Sequence, residues 1–310
     1  MNDRRTFVKS LAAAFLTAVP ARTGIGGPAQ PTRAAAGTAR LLIRKAVLIS
    51  MLPEHLPYEQ RFVMARKAGF DGVEMQTVAE ADTAAQVLEA SRTTGLQIHC
   101  VMNADHWRYP LSSADADTVK RSVAGMETSL RNAALWGADA VLLVPAVVDA
   151  KTAYRDAWRR SQRVIRERLL PLARELKVII AVEEVWNKFL LSPLEFARYV
   201  DEFDSRWVKA YFDVGNVVFY GYPQDWIRTL GSRIVKVHLK DFQLDRPNGR
   251  FFWKNVGEGD IDWPEVRRAL AEIDYRGYVT TEVEGGPADY LQDLAARVDR
   301  WLTGERPHIG

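Results

Sequence analysis

The feature that most constrains this chain is a rhythm. Apolar runs of strand length near residues 45–50, 72–76, 97–102, 138–144, 178–183, 208–213, 234–240 and 278–283 alternate with amphipathic stretches of helical length. The helices are expected at roughly 58–68, 82–94, 114–136, 150–176, 193–203, 223–231, 262–273 and 287–303. Punctuation agrees with this reading. Ser192-Pro193, Asp262-Trp263-Pro264 and Gly286-Pro287 carry helix-start signals. Gly69, Gly137 and Gly277 fall where a helix must turn left-handed before the next strand. Eight strand–helix units predict an α/β fold closed into a (β/α)8 TIM barrel. An open doubly wound sheet is the alternative. No Gly-x-Gly-x-x-Gly follows the first strand, which argues against its dinucleotide-binding form.

The first 40 residues stand apart from this rhythm. Asp3-Arg4-Arg5-Thr6-Phe7-Val8-Lys9 precedes an apolar stretch from Leu11 to Val19, in the order of a twin-arginine export signal. Small residues at Val19-Pro20-Ala21 suit cleavage after Ala21; a basic tail is the plainer alternative. The expected organisation is therefore a signal at 1–21, a Gly/Pro/Ala/Thr-rich linker at 22–40, a barrel at 41–304 and a tail at 305–310. The leader is too short to span a bilayer comfortably, so the mature protein is expected to be periplasmic or secreted, with no stable membrane span. Residues 1–40 hold six Arg/Lys against one Asp, or +5; the whole chain is +3, which leaves −2 for residues 41–310. That balance argues against a nucleic-acid partner. Cys100 is the single cysteine and excludes an intramolecular disulfide.

Four chemistry-bearing residues close consecutive apolar runs: Glu183 after VIIAV, Asp213 after VKAYF, His238 after RIVKV and Glu282 after YVTT. In a barrel, C-terminal strand ends form the active-site face. Singly, a carboxylate there is commonly a cap and a histidine commonly scaffold. Together, three carboxylates and an imidazole make a hard, mostly oxygen site for one divalent cation, Mn²⁺ first, with Mg²⁺, Co²⁺ or Zn²⁺ as alternatives. Grouped charges without a cation would repel one another at a cost. Alternation alone does not choose between Glu183 and Glu184 on the fifth strand.

These stretches resemble the sugar phosphate isomerase/epimerase family, the xylose isomerase-like barrels. The likeness rests on Val182-Glu183-Glu184-Val185-Trp186-Asn187, Tyr211-Phe212-Asp213-Val214-Gly215-Asn216, Val237-His238-Leu239-Lys240-Asp241, Val256-Gly257-Glu258-Gly259 and Thr281-Glu282. Its L-ribulose-5-phosphate 3-epimerase type is the nearest pattern. The resemblance implies a metal held by Glu183, Asp213, His238 and Glu282, and it selects Glu183 over Glu184. Asn216 stands where free-ketose epimerases often carry a histidine and phosphosugar relatives carry asparagine. The implied activity is epimerisation or isomerisation of a ketose or related keto-sugar. Glu183 and Glu282 would exchange protons next to a carbonyl through a metal-stabilised enediolate.

Further substrate-binding candidates are Lys240, His106, Glu74, Asn216, Glu258, Trp107 and Trp186, with Trp253 as another ring wall. Lys240 would neutralise an oxyanion. Glu74 would touch the sugar or orient His238. His99 reads as internal packing. Rival readings are a metal-dependent lyase or dehydratase acting by β-elimination, and a noncatalytic carbohydrate-binding protein. Export makes an unphosphorylated sugar the expected partner, and the helical exterior could support a homodimer.

Overall fold

The computed structural model describes residues 39–307. The leader, all of the linker before Ala39, and His308 in the tail lie outside the described residues.

The barrel strands are β1 (Arg44–Leu48), β2 (Gly72–Gln76), β3 (Gln97–Met102), β4 (Ala140–Leu143), β5 (Ile179–Glu183), β6 (Val208–Asp213) and β7 (Ile234–Leu239). A hairpin of β8 (Asp241–Asp245) and β9 (Arg250–Lys254) comes next, and β10 (Tyr278–Thr281) completes the ring. The order β1-β10-β7-β6-β5-β4-β3-β2 closes on itself. All eight pairings in the ring are parallel. This is the (β/α)8 barrel that the strand–helix rhythm predicts.

Outside it lie α1 (Tyr58–Ala68), α2 (Ala81–Thr94), α3 (Ala116–Trp136), α4 (Tyr154–Val164), α5 (Leu170–Leu176), α6 (Pro193–Asp201), α7 (Pro223–Leu230), α8 (Trp263–Glu272) and α9 (Ala288–Thr303). Their apolar faces and the outward strand residues share one large core. A second cluster, Cys100, Ala140, Leu142, Val144, Ala181 and Tyr211, gathers residues of β3–β6. The strands are buried on both faces, so they read as apolar runs rather than alternating ones. Ser192 and Asp262 cap α6 and α8 by accepting from the Glu195 and Glu265 amides, as their positions suggest.

Two differences from the expected pattern have physical causes. The single helix expected at 150–176 is interrupted by a π turn at Ile165–Leu169. Pro171 follows at the start of α5; it has no amide hydrogen to donate back to the preceding turn. The hairpin β8–β9 was not foreseen. Its tip, Asn248-Gly249, has Gly249 at φ 63°, and Phe242 opposes Trp253 across the ladder. An Asn-Gly turn between aromatic-rich runs is the signal that marks it. Among the described residues no helix is long and apolar enough to cross a membrane.

Candidate metal centre

Parallel closure places the functional side chains at one end of the barrel. Glu183 and Asp213 are the last residues of β5 and β6, His238 is the penultimate residue of β7, and Glu282 directly follows β10. A register shift at Ala210/Tyr211 aligns Asp213 with His238 on the neighbouring strand. Glu282 is held in line by its amide, which donates to the Leu239 carbonyl at 3.0 Å. One donor atom from each of the four residues lies within 4.8 Å of all the others. Asp213 uses Oδ1 to accept from the amides of Gly215 and Asn216, both at 2.8 Å, which leaves Oδ2 for the cluster. Glu184, the residue that alternation could not exclude, turns away and accepts from the Asp213 amide at 2.9 Å.

His238 is fully buried and its two nitrogens face different neighbours. Nδ1 lies 2.9 Å from Glu183 Oε1 and 3.3 Å from Glu282 Oε2. Nε2 lies 3.2 Å from Glu74 Oε2. With its hydrogen on Nε2 donated to Glu74, the imidazole would present the Nδ1 lone pair to a cation. Glu74 is fully buried and is absent from the residues lining the cavity. Of the two positions open to it, the one beneath His238 is where the structure has it. The polar chain continues inward. The Tyr211 hydroxyl donates to Glu74 Oε2 at 2.5 Å and lies 3.3 Å from Thr280 Oγ1. Thr280 Oγ1 is in turn 2.9 Å from His99 Nε2. His99 stacks on Tyr278 with centroids 4.3 Å apart, the packing role expected of it. Tyr211 and Thr280 were not foreseen, since a tyrosine and a threonine inside strands read as ordinary β residues.

Charge is concentrated here. Lys240 Nζ lies 2.6 Å from Glu282 Oε2 and 2.8 Å from Asp213 Oδ2. Burial disfavours its charge, but Asp213 and Glu282 outweigh that and raise its pKa. Burial lifts Glu183 to about 7 against the pull of His238. Burial acts the same way on Glu282, yet His238 and Lys240 hold it at about 2. Burial opposes charging of His238, and the carboxylates of Glu282, Glu74 and Glu183 raise its pKa regardless. The donor set is three carboxylates and a neutral-capable imidazole, all converging, which fits a hard divalent cation held through oxygen with one nitrogen.

A cavity of about 220 Å³ opens beside the cluster, lined by Met102, His106, Trp107, Glu183, Val185, Trp186, Asn216, Lys240, Trp253 and Glu282. Of the residues singled out from sequence, His106, Trp107, Trp186, Asn216 and Lys240 are thus brought to it. His106 is 3% exposed, and burial lowers its pKa to about 4, so the ring is neutral near pH 7. Asn216 donates through Nδ2 to the Glu184 carbonyl at 3.0 Å, and its own carbonyl accepts from Trp186 Nε1 at 2.8 Å. Trp186 packs against Phe242, Phe251 and Trp253 of the hairpin. Glu258 is not with the cluster; it pairs with Arg297 at 2.7 Å on a neighbouring, larger hollow.

A closed parallel barrel with these donors on four consecutive strand ends defines the class: a (β/α)8 protein with a candidate divalent-cation centre at its catalytic face. The family model described as xylose isomerase-like TIM barrel matches residues 62–302, and the chain belongs to that family. It is 28% identical over 278 residues to the Escherichia coli (strain K12) protein named "Putative L-ribulose-5-phosphate 3-epimerase SgbU", covering 84% of this chain and 95% of that one. Among solved structures, an L-ribulose 3-epimerase superposes with TM-score 0.71 at 18% identity, covering 84% of this chain and 94% of the other. The apo 3-keto-D-glucoside 4-epimerase from E. coli superposes with TM-score 0.70 at 18% identity, covering 85% and 99%. At that identity the two structures speak to the shared fold.

Proposed function

We propose that this protein is an enzyme, a divalent-metal-dependent sugar epimerase or isomerase acting on a keto-sugar. The observation that carries the reading is the four-donor cluster, Glu183, Asp213, His238 and Glu282, opening onto a cavity the size of a sugar ring. The names borne by its relatives point the same way. A divalent cation at these donors would act as a Lewis acid on the substrate's carbonyl and neighbouring hydroxyl, making the adjacent C–H more acidic. Mn²⁺ is the preferred candidate.

The protein's own residues supply the rest. Glu183 and Glu282 act as a proton-exchanging pair: one removes the proton from the carbon beside the carbonyl, and the other returns a proton to the opposite face. Lys240, a buried ammonium beside Glu282, offsets charge developing on the substrate oxygen. His106 and Asn216 position hydroxyls from the cavity wall, and Trp107 and Trp186 flank the ring. Glu74 fixes His238.

The test is deuterium exchange. Residues 39–310 are stripped of metal, reloaded with Mn²⁺, Mg²⁺ or Co²⁺, and given keto-sugars in D₂O. Deuterium at the carbon next to the carbonyl in an isomeric product is the expected result. Loss of water or of an aglycone would instead make the enzyme a lyase. Tight sugar binding with no exchange under any metal would sink catalysis. Glu183→Gln and Glu282→Gln are each expected to lower kcat by at least 10³-fold while retaining measurable sugar binding, the scale expected when an acid–base group is lost.

A further inference from the structure

The cavity beside the metal cluster is only the inner part of a longer space. An outer hollow of about 670 Å³ is lined by Lys240, Trp253, Lys254, Asn255, Glu258, Glu282, Val283, Glu284, Gly285, Gly286, Pro287 and Tyr290. It shares Lys240, Trp253 and Glu282 with the inner cavity of about 220 Å³. The inner volume is that of roughly seven waters at ~30 Å³ each, enough for one sugar ring and little more. The outer one is three times larger. The outer one alone falls within the roughly 300–1,000 Å³ typical of pockets for drug-sized ligands. A lone monosaccharide would leave most of this space wet.

Resting on the reading of the site as a keto-sugar epimerase, we propose that the natural substrate is a neutral two-unit glycoside. The reacting keto-sugar sits in the inner cavity and a second, uncharged ring in the outer hollow.

Three features argue for a second ring there. Trp253 lines both compartments, is half-exposed, and carries the Lys240 ammonium 5.1 Å from its ring centroid. An indole at the junction of two compartments suits the apolar face of a sugar ring. Asn255 Oδ1 accepts from the Tyr290 hydroxyl at 2.7 Å, which fixes the amide and leaves its N–H groups for hydroxyl acceptors. The loop at Gly285 lies tight on the barrel rim: a Cβ there would sit 2.5 Å from the Met51 carbonyl oxygen. At Gly286 a Cβ would press on the Tyr290 ring, so the second glycine lets the loop close against a ring that lines the hollow.

Charge argues against a phosphate in the same space. Glu258, Glu282 and Glu284 all line it, and no arginine does. Lys240 is committed to Asp213 and Glu282. Arg297, beyond the lining, is held by Glu258 and Asp293. With Lys240 paired to Glu282 and Arg297 to Glu258, the lining keeps Lys254 and Glu284, which offset one another. The hollow thus offers no surplus of positive charge to a dianion, whereas hydroxyls find both donors and acceptors.

Matched probes test this on the Mn²⁺-loaded protein. D-Fructose is compared with D-fructose 6-phosphate and with lactulose and isomaltulose, which carry a second neutral ring. Methyl 3-keto-glucoside is compared with 3-ketomaltose. Binding is followed by calorimetry and turnover by deuterium exchange. In at least one pair the two-ring member is expected to bind tenfold or more tightly, and Trp253→Ala is expected to bring the ratio toward one. Equal binding within every pair, or preference for the phosphate, would overturn the proposal while leaving epimerase chemistry intact. Two-ring preference without exchange for any probe would overturn the epimerase reading, and with it the glycoside's standing as substrate, leaving a two-ring binding site.

Discussion

At the scale of single residues, the site is built from groups whose partners decide what they can do. His238 presents Nδ1 to the cluster because Glu74 holds Nε2, and Glu74 is in turn held by Tyr211. Tyr211→Phe removes one hydrogen bond from a fully buried carboxylate, at a cost of about 1–3 kcal/mol. It is expected to weaken Mn²⁺ binding by tenfold or more without touching a ligand; titration of the metal-free protein reads this directly. Unchanged affinity would mean that Glu74 orients the imidazole unaided. His106 gives a second prediction. Its folded pKa is about 4, while an unfolded imidazole titrates near ~6.5. Between those values the unfolded chain binds the extra proton, so this residue's contribution falls as pH drops from about 6.5 towards 4. Relative to the parent, metal-free His106→Asn should therefore gain stability between pH 7.5 and 5, on the order of 2 kcal/mol. Urea unfolding at the two pH values measures the difference.

At the scale of elements, the hairpin β8–β9 and the loop behind it depend on Asp241. This buried carboxylate accepts from the amides of Phe242, Gly257 and Ile261 at 2.8, 3.0 and 3.3 Å and from Trp263 Nε1 at 2.8 Å. Asp241→Ala would orphan several donors at once and is expected to destabilise by roughly 3 kcal/mol or more. Limited proteolysis should find new cleavage between residues 250 and 262. The same region shows where sequence was legible and where it was not. All eight barrel strands and their order could be read, because strands buried on both faces are continuous apolar runs and Gly69 and Gly137 mark helix ends; after α8 the left-handed residue is Asp274 at φ 52°, not Gly277 as expected. The four cluster residues could be read because each closes such a run. The hairpin could not, since Phe242, Phe251 and Trp253 follow β7 without the helical period that punctuates every other unit. Nor could the link from Tyr211 through Thr280 to His99, which joins positions 69 and 181 residues apart. Its members come together only through barrel closure.

At the scale of the whole molecule, cation binding should reach stability. A ligand that binds the folded state alone, present at 100 times its Kd, contributes about 2.7 kcal/mol. For a domain of this size that corresponds to a rise in Tm of roughly 5 °C or more. Addition of EDTA should reverse it; a Tm indifferent to both would argue that the four donors hold no metal. Export through the twin-arginine route is likewise a proposal, tested by replacing Arg4 and Arg5 with Lys and following the mature protein in the periplasmic fraction. Closure has one more consequence. The Leu41 amide donates to the Leu302 carbonyl at 3.1 Å, and Arg267 reaches from α8 to the Ala39 carbonyl and to Leu302. First and last segments thus meet at the end of the barrel away from the metal cluster. A short peptide from residue 307 back to residue 39 would turn the chain into a loop, one that could be opened at a different helix–strand connection. Circular permutants cut on that lower face should retain the cluster, because the ring of eight strands has no structural beginning.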